Sequence, residues 1–315
     1  MNRRTFLKTS IAATTASVLT VKAGDVAEAP KPAVQMNTLP MGKIGNLQVS
    51  RMLLGGNLLT HYTHSRDLQY VYRLTEKYNT EDKIMETLAI AEQHGINTLS
   101  MHNPPRPMSI LKKYRRQGGK IQWIICPTAS VGTEAYVTQV KELVLDTGCD
   151  AIYLWGVHAD PLAARGKINM IAKAVEIAKE LGVPSGVGCH DLNVVIECEK
   201  NKVPCDFYIK TFHHHNYPSA PKPDQLGGPT SESRPAYWCR DPQKTIEVMA
   251  GIEKPWFAFK IMAAGAIPPA DAFRYAFENG ADHALVGMFD FEIADDVTLF
   301  KSILPTIKRA RPWRS

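Results

Sequence analysis

Eight short apolar runs, each separated from the next by a helix-like segment, punctuate the chain between residues 51 and 289. They read "RMLLGG" (51–56), "NTLSMH" (97–102), "IQWIICP" (121–127), "DAIYLWGVH" (150–158), "PSGVGCH" (184–190), "DFYIKTF" (206–212), "WFAFKIMA" (256–263) and "HALVGMF" (283–289). Runs this short suit buried strands. The intervening stretches, such as "EDKIMETLAIAEQHG" and "INMIAKAVEIAKELG", carry helical spacing and several stop on Gly or Asn-Gly, where a left-handed residue ends a helix. Strand and helix alternating eight times predict an α/β fold, the (β/α)8 TIM barrel. A doubly wound open sheet is the alternative assembly of the same units.

The 315 residues, 44% of them hydrophobic, can bury one large α/β core, and no shift in composition marks a second domain. The barrel is expected over residues 41–315, after a Pro-containing linker at 30–40. One long insertion, a loop at about 213–239, follows the sixth strand and is rich in Pro, Gly and Ser, the composition of a lid or binding loop. Beyond the N-terminal segment no apolar run approaches the ~20 residues that span a bilayer, so no membrane span is expected in the mature protein. The six cysteines form no C-x-x-C pair, and Cys126 and Cys189 fall in strand-like runs as small core residues.

Residues 1–29 contain Arg3 and Arg4, then "TFLK", then an Ala/Thr/Ser/Val stretch. This "RRTFLK" order resembles a twin-arginine signal peptide, against the plainer reading of a basic amphipathic tail. "VKA" ending at Ala23 and "AEA" ending at Ala29 are both cleavage candidates. The resemblance implies the twin-arginine export machinery as a partner, and a periplasmic or secreted protein that folds before transport. Loss of 1–29 would remove four basic and two acidic side chains, lowering the formal charge from +6 to +4, too little to suggest a nucleic-acid partner.

Barrel enzymes carry their chemistry at the C-terminal ends of the strands. The expected strand ends present Asn57, His102 with Asn103, His158, His190, Lys210 with His213, Lys260 and Asp290. Strand alternation predicts that Ser100 and His102 share the inward face, that Gly156 and His158 do so in the fourth strand, and that Ala258 and Lys260 do so in the seventh. His158, His102, Lys210 and Lys260 are therefore the expected catalytic groups. Asn57, Asn103, Tyr217, Trp238 and Asp290 are the expected substrate contacts. His102, His158, His190 and His213 are a candidate set for a divalent metal, Zn or Mn. Each strand-end histidine has a plainer reading as a hydrogen-bonded loop cap, and one of His213, His214 and His215 is expected to be exposed.

Longer stretches resemble the aldo/keto reductase superfamily over residues 39–300. "LPMGKIGNLQVSRMLLGGN" resembles that family's opening hairpin and first strand, and "AIAEQHGINTLSMHN" its second strand. "LDTGCDAIYLWGVHAD" resembles its histidine-bearing fourth strand, and "GADHALVGMFDFEIADDV" its closing strand and helix. The resemblance implies a barrel that binds NADP and reduces carbonyls with an Asp, a Tyr, a Lys and a His. Here the Asp position falls on Ser100, the Tyr position near Pro105 and the Lys position on Pro127, and His158 alone matches. Without the tyrosine and its lysine, ordinary NADPH reduction lacks its general acid.

These features predict an exported barrel enzyme acting on a small carbonyl or sugar-like substrate by His/Lys proton transfer, with lyase, isomerase or hydrolase chemistry, with or without metal assistance. An NAD(P)-linked oxidoreductase and a non-catalytic ligand-binding barrel are the alternatives.

Overall fold

The computed structural model describes residues 38–65, 68, 70–226 and 239–315. The expected leader, the linker up to residue 37, and Trp238 within the long loop lie outside the described residues. Residues Met36–Ser315 form one compact unit.

An antiparallel hairpin, β1 (Met41–Ile44) and β2 (Leu47–Ser50), leads into a closed barrel of eight parallel strands. These are β3 (Met52–Gly55), β4 (Thr98–His102), β5 (Gln122–Cys126), β6 (Ala151–Leu154), β7 (Ser185–Cys189), β8 (Phe207–Thr211), β9 (Trp256–Phe259) and β10 (His283–Val286), with β10 closing on β3. Helices α1 (Tyr70–Tyr78) and α2 (Glu81–Gln93) follow β3, and α3 (Pro105–Arg116) and α4 (Glu134–Lys141) follow β4 and β5. Next come α5 (Gly156–Ala164) and α6 (Ile168–Glu180) after β6, α7 (Leu192–Lys200) after β7, and α8 (Pro242–Ala250), α9 (Pro269–Glu278) and α10 (Asp290–Ile303) after the last three strands. The chain is a (β/α)8 TIM barrel, as the eight apolar runs predict.

Strand parity sorts the core into two clusters. Leu53, Ile124, Cys126, Tyr153, Phe207, Ile209, Phe257 and Leu285 fill the barrel, while the alternate residues Met52, Trp123, Ile152, Val187, Tyr208 and Trp256 pack under the helices. Ile44, Leu47 and Val49 of the hairpin join the interior cluster, and His283 at the start of β10 donates from Nδ1 to the Ser50 carbonyl (3.0 Å). The hairpin therefore plugs the end opposite the functional rim. Helix starts are set locally: Thr80, Thr133, Asp191 and Asp241 each accept a backbone N–H of the first turn. All six cysteines are buried and unpaired.

The fourth and seventh barrel strands are shorter than their apolar runs. β6 stops at Leu154, and Gly156 already opens α5, so His158 lies in a helical first turn and not on an inward strand face. Tyr153 and Trp155, expected to face the helices, pack with the barrel interior. An apolar strand feeding an apolar helix start gives one unbroken run, and periodicity cannot place the boundary inside it. In β9 it is Phe257 and Phe259 that face inward, with Ala258 under the helices, the reverse of the expected parity. Lys260 still reaches the interior rim because its backbone leaves the strand with φ 59°.

Candidate active site

The rim at the C-terminal ends of the strands encloses a small cavity of about 40 Å³, lined among others by Asn57, His64, His102, Tyr153, His190 and Lys260. A larger cavity of about 320 Å³ adjoins it, with Asn57, His64, Tyr153, Phe259 and Lys260 lining both. The larger one runs over the loops after β9 and β10, where Ile261, Met262, Leu285, Val286 and Phe289 make most of its wall apolar.

His190 follows β7 and is built into a dyad. Its Nδ1 lies 2.8 Å from Asp160 Oδ2, while Asp160 Oδ1 accepts the backbone N–H groups of His190 (3.0 Å) and Asp191 (3.1 Å). Asp160 lies one helical turn after Gly156 in α5, so both meet the end of β7. A Cβ on Gly156 would stand 3.1 Å from His190 Nδ1 and Cε1, so the missing side chain lets the imidazole sit on the helix start. With Nδ1–H donated to the carboxylate, Nε2 carries the lone pair on a ring that lines the cavity. Burial, and then the nearby Lys260 charge, lower the His190 pKa against the raising effect of Asp160. This is the arrangement of a neutral general base.

Lys260 is a second titratable group lining the cavity. Burial lowers its pKa to about 7, with Asp160 raising it and Lys210 lowering it further. Its carbonyl accepts Nδ1–H of His213 (3.0 Å), and His213 Nε2 accepts the backbone N–H of Cys239 (3.1 Å). A lysine amine near neutrality is both a proton carrier and a nucleophile.

An aromatic wall completes the small cavity. The His102 ring stacks on Trp155 (centroids 5.5 Å apart, planes within 2°), and Tyr62 meets His102, Trp155 and His64 edge-on. Burial lowers His102 to about 4. Burial, with Lys260, His190 and His102 adding to it, lowers His64 to about 2. Both imidazoles are uncharged at neutral pH. Tyr153, whose ring lies over Gly188, has its pKa raised well above the ordinary value by burial and keeps its proton.

Of the residues expected from the sequence, Asn57, His102, His190 and Lys260 come together at this cavity. The others do not line it. His158 meets the edge of Trp155 from the first turn of α5. Lys210 lies on the helix side of β8 by alternation from Ile209, with its ammonium on the Thr211 carbonyl (2.7 Å). Asn103 Oδ1 accepts the Thr128 N–H (3.0 Å), tying the ends of β4 and β5 together. Asp290 accepts Tyr78 OH (2.6 Å) and pairs with Lys83 (3.0 Å). Tyr217 packs against the rings of His213 and His214. Trp238 lies outside the described residues.

The four candidate metal ligands do not converge. His213 spends both ring nitrogens on backbone groups and His190 spends one on Asp160. Among the described residues no group of three or more His, Cys, Asp or Glu side chains is placed to hold a metal ion. Of the three consecutive histidines, His213 is buried, and His214 and His215 are both half-buried where one was expected to be exposed.

Tyr62, His64, Tyr153, Trp155 and Asp160 were missed from the sequence. The first two stand in "HYTH", directly after the first barrel strand, and that density of rings was the available signal. Tyr153, Trp155 and Asp160 were hidden by the misplaced end of the fourth strand.

No family model and no curated protein matches the sequence. Among solved structures the chain is similar to a Gox0644 mutant in complex with NADPH, with a TM-score of 0.54 at 12% identity over 85% of this chain and 90% of that one. It is also similar, with a TM-score of 0.48 at 10% identity, to the phospho-2-dehydro-3-deoxyheptonate aldolase of Thermotoga maritima, over 85% of this chain and 74% of that one. The chain also resembles the native KDPGal structure, with a TM-score of 0.44 at 13% identity, over 72% of this chain and 90% of that one. At such identities the likeness establishes the fold alone: a (β/α)8 TIM barrel.

Proposed function

We propose that this protein is an exported lyase or isomerase, descended from the aldo/keto reductase barrel, that removes a proton beside the carbonyl of a small polyhydroxylated substrate. The observation that carries the reading is the His190–Asp160 dyad presented to the same small cavity as Lys260. His190 Nε2 takes the proton from the carbon next to the carbonyl, and Asp160 stabilises the imidazolium that forms. Lys260 engages the carbonyl end of the substrate. Neutral His102 and His64, with Asn57 and Tyr153, line the same cavity and supply the polar groups that bond its hydroxyls. The NAD(P)-linked alternative would need the larger cavity to take the nucleotide, and the acid it lacked in sequence would be Tyr153.

Incubating the protein with ketoses, keto-glycosides and dihydroxyacetone in D₂O, followed by NMR, tests the reading. Loss of the α-proton signal of at least one probe is expected, falling about 10²-fold or more in His190→Ala. Stoichiometric NADPH binding with no exchange on any probe would overturn it in favour of the oxidoreductase. Neither exchange nor nucleotide binding would leave the barrel as a binding protein.

A further inference from the structure

We infer that Lys260 acts covalently, its amine condensing with the substrate carbonyl to form an imine at the junction of the two cavities; this rests on the carbonyl reading above. Three observations converge on it. Lys260 lines both cavities, so a bound carbonyl carbon can reach it while the rest of the substrate extends either way. Its Cα leaves β9 in a left-handed conformation, which carries the side chain from the strand's outward register into the rim. Its carbonyl is held by His213, itself anchored to Cys239, so the nucleophile's backbone is fixed from a second loop.

The chemistry balances on residues already placed. The lysine lone pair attacks the carbonyl carbon, the C–N bond forms, and the oxygen takes a proton to give a carbinolamine. Loss of that oxygen as water gives the iminium ion. The iminium draws the electrons of the adjacent C–H bond as His190 Nε2 removes the proton, giving an enamine. Return of a proton to the opposite face of the same carbon regenerates the iminium and completes an epimerisation, or expulsion of a β-substituent gives the unsaturated iminium and completes an elimination. Water then hydrolyses the imine and releases Lys260. No oxidant or reductant is needed. The reaction requires a neutral amine, which burial supplies by lowering the lysine pKa to about 7.

The full chain, incubated with dihydroxyacetone and sodium cyanoborohydride, is then digested and mapped by mass spectrometry. The inference expects one peptide, that containing Lys260, to gain the probe's mass less one oxygen atom, at least tenfold faster than any other lysine. It also expects labelling to rise through about pH 7, where exposed lysines respond only near their ordinary 10.5. Lys260→Met should abolish the fast label, and mapping the unaltered protein gives the answer even if that variant fails to fold. Uniform slow labelling of surface lysines would overturn the inference. Proton exchange without a Lys260 label would remove the covalent step and leave the general-base reading intact. A Lys260 label with no exchange would keep the covalent step and remove the role of His190.

Discussion

Asp160 uses Oδ1 to cap two backbone N–H groups, while Oδ2 lies on His190 Nδ1 and shares the His190 N–H at 3.3 Å. Asp160→Asn separates the two roles. The asparagine oxygen can keep both backbone bonds, while its NH₂ donates to His190 Nδ1 and moves the ring proton to Nε2. The expected outcome is a loss of proton exchange of about 10²-fold or more with thermal stability nearly unchanged. Imidazole ¹⁵N shifts would show the inverted tautomer, and unaltered exchange would remove the dyad from the mechanism. His190 was legible in the sequence because a polar residue closing an apolar run marks a barrel rim. Asp160 was not, since "GVHAD" read as strand points His158 inward, whereas read as helix it places Asp160 on the same face as Gly156. Four residues of error at one strand end, Leu154 and not His158, exchanged a ring-edge histidine for the dyad's carboxylate.

The turn after β9 is the most strained element of the site. Lys260, Ala263, Ala264 and Gly265 all have positive φ, at 59°, 46°, 57° and 81°. Left-handed conformations cost a residue with a Cβ about 1–2 kcal/mol, and glycine would avoid that cost while adding freedom to the unfolded chain. Ala264→Gly is therefore expected to change stability by less than about 1 kcal/mol in either direction, read from the denaturant midpoint; a larger loss would mean the alanine methyl packs as core. The Lys260 carbonyl accepts both His213 Nδ1–H and the Ala263 N–H, so His213 is a positioning residue for the nucleophile. His213→Ala should slow reductive labelling of Lys260 about tenfold or more, the scale of about 1.4 kcal/mol, and broaden its pH profile. His213→Gln, which can donate to the same carbonyl, should recover part of the rate. Stability lost without any change in the labelling profile would mark His213 as packing alone. Alternation predicted Lys260 inward from the wrong parity. The left-handed exit from the strand, which sequence periodicity does not encode, restored the result.

Seen as one molecule, the fold buries imidazoles in their uncharged form, and that sets how its stability varies with pH. His213 and His283 are almost fully buried, and burial lowers both to about 3 from 6.5. Below pH 6.5 the unfolded chain binds protons that the folded form refuses, so stability falls as pH drops, by about 1.4 kcal/mol per unit for each histidine. Together they remove about 4 kcal/mol by pH 5, and the melting temperature should fall steeply between pH 6.5 and 4.5. Lys260 works in the same direction at higher pH. Its folded pKa of about 7 lies below the ordinary 10.5, so between these values the unfolded chain is protonated where the folded form is neutral, and stability rises with pH. Lys260→Met removes that term. Because Lys260 as a residue is only half-buried and lines an open cavity, solvent screening reduces the benefit to about 2 kcal/mol at pH 8, declining to nothing above about pH 10.5. Thermal unfolding of both proteins across pH 4–11 checks this. The variant should be the more stable near neutrality, the curves should meet at high pH, and both should fall in parallel in acid, where the histidines govern. A variant no more stable than the parent at pH 8 would mean that Lys260 is solvated like a surface lysine, and a lysine in that state would have no reason to react ahead of the others.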